Sequence, residues 1–226
     1  MLSKEHYQFL RNQADFRFLS VSGFDQLMKQ VRYHKIAKGN LLFFEGDPRH
    51  TLFFLYSGYV RLERSDQSGK YLFTDYVTNN TIFPYEGILQ DKPYPFTATA
   101  VTDLECFFLP TDSYQTLCQT NLFQLQHLCD KMSHLIERQD IRLRNTVTSR
   151  AKDRVIESLA YLLNELNLKD GDLPFPITTI EIAKLSGTTR ETVSHTLNDL
   201  KKEGRISFSK HQLCFVDKAF FLKNFL

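Results

Sequence analysis

Between residues 33 and 109 the apolar positions come in short runs, LLFF, TLFFLYS, YVRLE, YLFTDYV, FTATAV and LECFFL. Turn signals separate them at Gly39, Gly46-Asp47-Pro48, Gly58, Gly69 and Asn79-Asn80. Short segments rich in Phe, Tyr, Val and Thr with regular punctuation predict a β-barrel or roll. No helical period runs through the stretch, and Phe53 and Phe54 read as core. Ahead of it, KEHYQFLRNQ and FDQLMKQV predict two short helices. From Leu122 the pattern changes: Leu122, Leu125, Cys129, Met132, Ile136, Gln139 and Leu143 alternate spacings of three and four. That heptad seam predicts a long helix lying beside a second copy in a parallel homodimer. The other reading is a helix packed on its own domain, for which Leu128 and Leu135 supply a second apolar row. RAKDRVIESLAYLLNEL predicts a further amphipathic helix with Val155, Leu159, Leu162, Leu163 and Leu166 inward, ended by Gly171, Pro174 and Pro176.

Residues 177–206, ITTIEIAKLSGTTRETVSHTLNDLKKEGRI, carry the pattern of a helix-turn-helix. Ile182, Ala183 and Leu185 give a first apolar face, Gly187 marks the turn, and Val193, Leu197 and Leu200 form the stripe of a second helix. Arg190, Glu191, Ser194 and His195 point the other way. A helix reading base edges in the major groove needs such groups: a planar guanidinium for guanine O6 and N7, and a carboxylate accepting from cytosine N4. Thr188 and Glu191 also have the spacing of a capping box, which accounts for the acid without nucleic acid. It leaves Arg190 and the small Ala183 and Gly187 unexplained. Beyond the motif, RISFSKHQLCFV predicts a two-stranded wing and DKAFFLKNFL a terminal helix.

The expected fold class is therefore α+β. An N-terminal β-roll occupies residues 1–118, a dimerisation helix 119–148, and a winged helix-turn-helix 149–226. The chain of 226 residues, 42% hydrophobic and 13% aromatic, is long enough for two cores and too apolar for disorder. A net charge of +2 does not by itself indicate nucleic acid, and residues 150–226 carry twelve Lys and Arg against ten Asp and Glu. Any electrostatic footprint is local, with Lys184, Arg190, Lys201, Lys202, Arg205 and Lys210 as cations near the motif. Thr179, Thr188, Thr189, Lys201 and Lys210 are the candidate phosphate contacts; a solvated helix face is the other reading of Lys201 and Lys202.

Cys106, Cys118, Cys129 and Cys214 form no CxxC pair and no cluster with His, which fits reduced thiols and indicates neither zinc nor an iron–sulfur centre. His127 and His134 share an outward heptad position and read as solvated. Cys129 reads as a small buried hydrophobe on the seam, with an interchain disulfide under oxidation as the alternative. The N-terminus lacks the run of a signal peptide, and no segment approaches the ~20 apolar residues of a membrane span, so a cytoplasmic location without a membrane partner is expected. There is no P-loop, HExxH or GxSxG; an enzyme is not expected, and no cofactor is called for.

The order of elements, the segment FFEGDPRHTLFFLYSGYVRL with turn glycines Gly46 and Gly58, and TTRETVSHTL together resemble the CRP/FNR family of bacterial transcription regulators, over nearly the whole chain. The resemblance implies a homodimer that binds double-stranded DNA at a palindrome and recruits or blocks RNA polymerase, with the loop Asn167–Pro174 where activating relatives touch the polymerase. Members that bind cyclic nucleotides carry Gly-Glu and, further on, Arg-Ser around the cyclic phosphate. In this chain those slots hold Pro84 and Tyr85, then Pro95 and Phe96, with Glu86 displaced by one. No residue there replaces the arginine, so tight cyclic AMP binding is not expected. No cysteine precedes Cys106, which closes the iron–sulfur route of oxygen-sensing relatives. An unidentified small-molecule effector, a thiol signal, or no effector remain, as does a ligand-binding module without a DNA role. Arg190 and Glu191 match the cyclic-AMP-receptor pattern, whose half-site resembles TGTGA, while Ser194 matches the FNR type. His195 stands where both groups usually carry Arg. The expectation is a TGTGA-like half-site, Arg190 on the outer guanine and Glu191 on the cytosine opposite the inner one, with His195 making a weaker contact.

Overall fold

The computed structural model describes residues 2–65, 72–90, 92–148, 150–166, 168 and 170–223. Gly69, Ser149 at the expected domain boundary, Asn167 and Lys169 of the expected polymerase loop, and the last three residues of the expected terminal helix lie outside the described residues. The chain forms two compact units, Met1–Leu62 with Val77–Glu137, and Glu63–Tyr76 with Arg138–Leu226.

In the first unit, helices α1 (Lys4–Arg11) and α2 (Val21–Gln30) each start on a serine whose hydroxyl accepts a backbone N–H, Ser3 from His6 and Ser20 from Gly23, both at 3.1 Å. Eight strands follow along the chain, the end of β4 and most of β5 falling in the second unit: β1 (Arg32–Ile36), β2 (Leu41–Phe43), β3 (Thr51–Ser57), β4 (Val60–Ser65), β5 (Leu72–Val77), β6 (Thr81–Phe83), β7 (Thr97–Ala100) and β8 (Leu104–Pro110). They make two four-stranded sheets, β1-β8-β3-β6 and β2-β7-β4-β5, the roll expected from the strand spacing. Helices α3 (Thr111–Gln119) and α4 (Leu122–Thr148) come next. Neither β6 nor α3 was anticipated. Three residues are too few to show alternation, and α3 buries only Thr111, Tyr114 and Cys118.

Strand β3 explains why TLFFLYS reads as a continuous apolar run, since successive side chains leave opposite faces and both faces are covered. Leu52 and Phe54 join the core under the helices with Phe16, Phe24, Leu27 and Tyr114. Phe53 faces the roll interior, 5.4 Å from the rings of both Phe43 and Phe83 and 4.8 Å from Phe108. Each such fully buried ring contributes roughly 2 kcal/mol relative to exposure. Gly58, in the turn between β3 and β4, has φ 94°, and a Cβ there would sit 2.4 Å from the Asp103 carbonyl oxygen, so only glycine fits.

Helix α4 presents two faces. Leu128 is buried, and Met132 and Leu135 pack against the same helix-side core, which realises the second apolar row. Of the seam residues, Leu122, Cys129, Ile136 and Leu143 are exposed, whereas Leu125, Met132 and Gln139 are half-buried in the single chain. Cys129 is thus not a buried hydrophobe within its own chain. His127 corrects an expectation: it is half-buried rather than solvated, its Nε2 3.5 Å from the Asp15 carboxylate. Asp15, 2% exposed, also receives Lys131 Nζ at 2.6 Å and the Tyr85 hydroxyl at 3.1 Å. The Asp15 carbonyl accepts from Gln124 Nε2 at 2.8 Å and Tyr114 Oη at 3.2 Å. Burial, reinforced by the Asp15 charge, holds the Tyr85 hydroxyl well above the usual phenol range, so it remains a donor.

The second unit contains α5 (Ala151–Glu165), α6 (Thr179–Ser186), α7 (Arg190–Lys202), β9 (Ile206–Ser209), β10 (Gln212–Phe215) and α8 (Lys218–Lys223). Val155, Leu159, Leu162, Leu163 and Leu166 are buried, as their spacing predicts, together with Ile182, Val193, Leu197, Phe215 and Phe221. The β9–β10 wing turns through Lys210 and His211, both at positive φ, the geometry of a two-residue hairpin. In this unit Asp75 of β5 accepts from the Tyr161 hydroxyl and from Gln139 Nε2 at 3.2 Å.

Replacing Asp15 by Ala strands a half-buried ammonium and a buried phenol, and is expected to lower stability by about 3 kcal/mol in urea unfolding. Asp15→Asn, which keeps an acceptor, should lose less. An unchanged midpoint for Asp15→Ala would contradict the role given to this carboxylate.

Candidate nucleic-acid interface

Helix α6 opens on a capping box. Thr178 Oγ1 accepts from Glu181 N at 3.1 Å, and the Glu181 carboxylate accepts from Thr178 N at 2.7 Å. It ends at Gly187, left-handed at φ 56°. The next helix, α7, begins after Thr189, whose hydroxyl accepts from Thr192 N at 3.2 Å. The expected capping box at Thr188 and Glu191 does not form, because the cap of α7 is Thr189, one residue later. Gly187 occupies the left-handed position, so Thr188 still belongs to the turn and its N–H returns to Ala183 O at 3.1 Å. The sequence repeats Thr-x-x-Glu at 178–181 and 188–191, and only the first copy lies at a helix start where both halves close.

On α7, Val193, Thr196, Leu197 and Leu200 are buried. Arg190, Glu191, Ser194 and His195 occupy its first two turns and are all exposed. Hydrogen bonds from its own backbone N–H and from the Thr189 hydroxyl hold the Glu191 carboxyl below its usual range. It is thus an ionised acceptor at neutral pH. Thr179 is the first residue of α6, Thr189 the exposed cap of α7, Lys201 lies in the last turn of α7, and Lys210 sits at the exposed tip of the wing. Lys201 Nζ donates to Phe208 O at 3.1 Å, tying that amine to β9. Arg205 departs from its expected place among the phosphate cations: it is half-buried, ion-paired with Asp217 and 4.7 Å from the Phe220 ring centroid.

In the first unit, the turn after β6 and the segment before β7 carry residues that the family resemblance aligns with nucleotide-binding slots. Tyr85 is turned inward to Asp15, and Phe96 is 7% exposed. Tyr94 stacks on Phe43 at 3.9 Å, with its hydroxyl donating to Thr51 O at 2.7 Å. Sequence reasoning missed Arg49. Its guanidinium, 6% exposed, reaches this turn from the β2–β3 loop and donates to the carbonyls of Glu86, Gly87 and Gln90. Arg49 lies within FFEGDPRHTLFFLYSGYVRL, but only the pairing of distant strands brings residue 49 to residue 87. In the second unit a cavity of about 290 Å³ is bordered by Phe73, Arg142, Glu157, Tyr161, Lys184 and Gly187.

Residues 33–121 match the cyclic nucleotide-binding domain, and residues 153–220 match the Crp-like helix-turn-helix domain. The chain belongs to the CRP/FNR family of transcription regulators. Family relatives include the HTH-type transcriptional regulator ArcR of Staphylococcus epidermidis, 29% identical over 199 residues, covering 83% of this chain and 82% of the relative. Another is the cyclic AMP receptor protein of Thermus thermophilus, 28% identical over 190 residues, covering 84% and 86%. FixK2 of Bradyrhizobium japonicum shares the fold, with a TM-score of 0.73 at 17% identity over 85% of this chain and 96% of that one. As a CRP/FNR-type regulator the chain binds DNA through its helix-turn-helix. Among the described residues no helix is long and apolar enough to cross a membrane.

The four cysteines are free thiols. Burial pushes the Cys106 thiol up to about 12 and the Cys118 thiol up to about 11. A raised thiol pKa means the nucleophilic thiolate is scarce below those values. Native protein at pH 8 is therefore expected to leave both unlabelled by a maleimide, and unfolded protein to label both. Mass spectrometry finding native Cys106 or Cys118 alkylated would reverse this.

Proposed function

We propose that this CRP/FNR-family regulator works as a homodimer that reads a palindrome of TGTGA-like half-sites and does not need cyclic AMP. The observation that carries the reading is the division of α7 into a packed face and an exposed one, with Arg190, Glu191, Ser194 and His195 together on the latter at the helix start. Arg190 reads the outer guanine bidentately, and ionised Glu191 accepts from the cytosine opposite the inner guanine. His195 offers less reach than an arginine and relaxes the inner position. Thr179, Thr188, Thr189, Lys201 and Lys210 contact phosphates on either side of the recognition helix and at the wing.

Dimerisation through α4 is supported by Leu122, Ile136 and Leu143, each more than 60% exposed in the single chain, in heptad register with Cys129. On this reading residues 1–118 form a sensor-like roll, 119–148 the dimer helix and 149–226 the reader, and the cytoplasmic dimer acts on RNA polymerase rather than as an enzyme. Independence of cyclic AMP is supported by Arg49, whose guanidinium faces carbonyl oxygens instead of an open anion site, and by the aromatic filling at Tyr94 and Phe43. A regulator gated by another small molecule is the second reading, favoured by the cavity beside Arg142 and Lys184.

Selection of duplexes from a random pool by the reduced protein without effector should return a palindrome of TGTGA-like half-sites one helical turn apart. Arg190→Ala should abolish that enrichment, and retained specificity would refute the assignment. Recovery from the wild type only after adding cell extract would favour the effector-gated reading. Calorimetry with cyclic AMP is expected to give no tight binding; a micromolar constant would overturn the reading of Arg49.

A further inference from the structure

Only Thr188 and Thr189 separate the end of α6 at Gly187 from Arg190, so the backbone at 186–189 sets where the first base-reading side chain begins. Two amides of this turn reach backwards, Gly187 N to Lys184 O at 3.4 Å and Thr188 N to Ala183 O at 3.1 Å. Its carbonyls face α5. Arg154 Nε donates to Ser186 O at 3.2 Å and Arg154 Nη2 to Gly187 O at 3.1 Å. The last carbonyls of a helix lack intrahelical partners and carry the negative end of its dipole, so a guanidinium is a fitting cap there. A planar fork on two successive carbonyls fixes direction as well as distance, which the compact ammonium of lysine does not. Arg154 is itself anchored: it stands in the first turn of α5 beside Val155, which is fully buried, and one turn before Leu159, also fully buried.

We propose that Arg154 is a positioning residue for DNA reading: by clamping the Ser186 and Gly187 carbonyls it sets the entry angle of α7 without contacting a base. This rests on the assignment of α7 as the base-reading helix. A direct phosphate contact by the same side chain predicts different behaviour, because phosphate contacts strengthen binding to any sequence.

The test compares full-length wild type, Arg154→Lys and Arg154→Gln on the selected operator and on a scrambled duplex over a range of salt. Both variants are expected to lose operator affinity roughly ten- to a hundred-fold, about the loss of one base contact, while scrambled-duplex affinity stays within about twofold. The clamp is overturned if both bind the operator like wild type. It is equally overturned if Arg154→Lys is normal while Arg154→Gln weakens both duplexes and lowers the salt slope by about 0.9, the signature of one lost phosphate contact. Amide exchange without DNA gives an independent reading. Exchange at 188–192 should rise in both variants at temperatures where their cores stay protected, and unchanged exchange would refute the clamp. Wild type that selects no operator even with cell extract added would defeat the assignment of α7, while the exchange result would still decide whether Arg154 holds the turn.

Discussion

A carboxylate buried to 2% exposure has to be compensated, and the solution at Asp15 organises the first unit. Its side chain draws in Lys131 of α4 and Tyr85 of the turn after β6, while its carbonyl takes Tyr114 of α3 and Gln124 of α4. Three separated parts of the chain are thereby tied to one residue of the short turn between α1 and α2. Apolar burial would hold α4 to the roll in several rotations. The Asp15 bonds favour the one that puts Leu128 inward and Leu122, Cys129 and Ile136 outward. The exposed seam follows from this charge pairing together with the apolar contacts of Leu128, Met132 and Leu135.

The second unit follows the opposite logic. Apolar packing of α5, α6 and α7 fixes which side of α7 is hidden, and polar groups finish its ends. Thr189 caps its start and Lys201 ties its last turn to β9. What is left uncovered is a row of groups that differ in sign, reach and hydrogen-bonding capacity. Such a row suits the varied edges of base pairs better than a uniform phosphate chain. Under the proposed function, such a row lets a protein of net charge +2 read DNA through α7.

In the roll, the residues that the family resemblance aligns with nucleotide-binding slots make structural contacts. Tyr85 serves Asp15, Phe96 is buried, and the turn carbonyls of Glu86, Gly87 and Gln90 are taken up by Arg49. The change is chemical as well as steric. A guanidinium facing three carbonyls has its charge answered within the protein, and an incoming phosphate would have to break those bonds before gaining its own.

The sequence by itself determined the roll, the long helix, the helix-turn-helix, the wing and the exposed face of α7, because each is written in local periodicity or turn residues. Period two, period three and four, and glycine at positive φ depend on neighbours a few residues apart. Tertiary structure alone decided what depends on distant residues. His127 lies on an outward heptad position by spacing, yet meets Asp15 from over a hundred residues earlier. Arg205 reads as a spare cation, yet is claimed by Asp217 and Phe220 once the wing folds back. The roles of Arg49 and Arg154 are not written locally, since a guanidinium that binds backbone carbonyls is directed by the partner's position and not by its own side chain. Even whether Thr188 opens a capping box turned on where Gly187 reversed the chain and on Thr189 taking the cap. Hydrophobic pattern is additive along a segment and can be read there, whereas the pairing of charges and polar groups is settled only when segments meet.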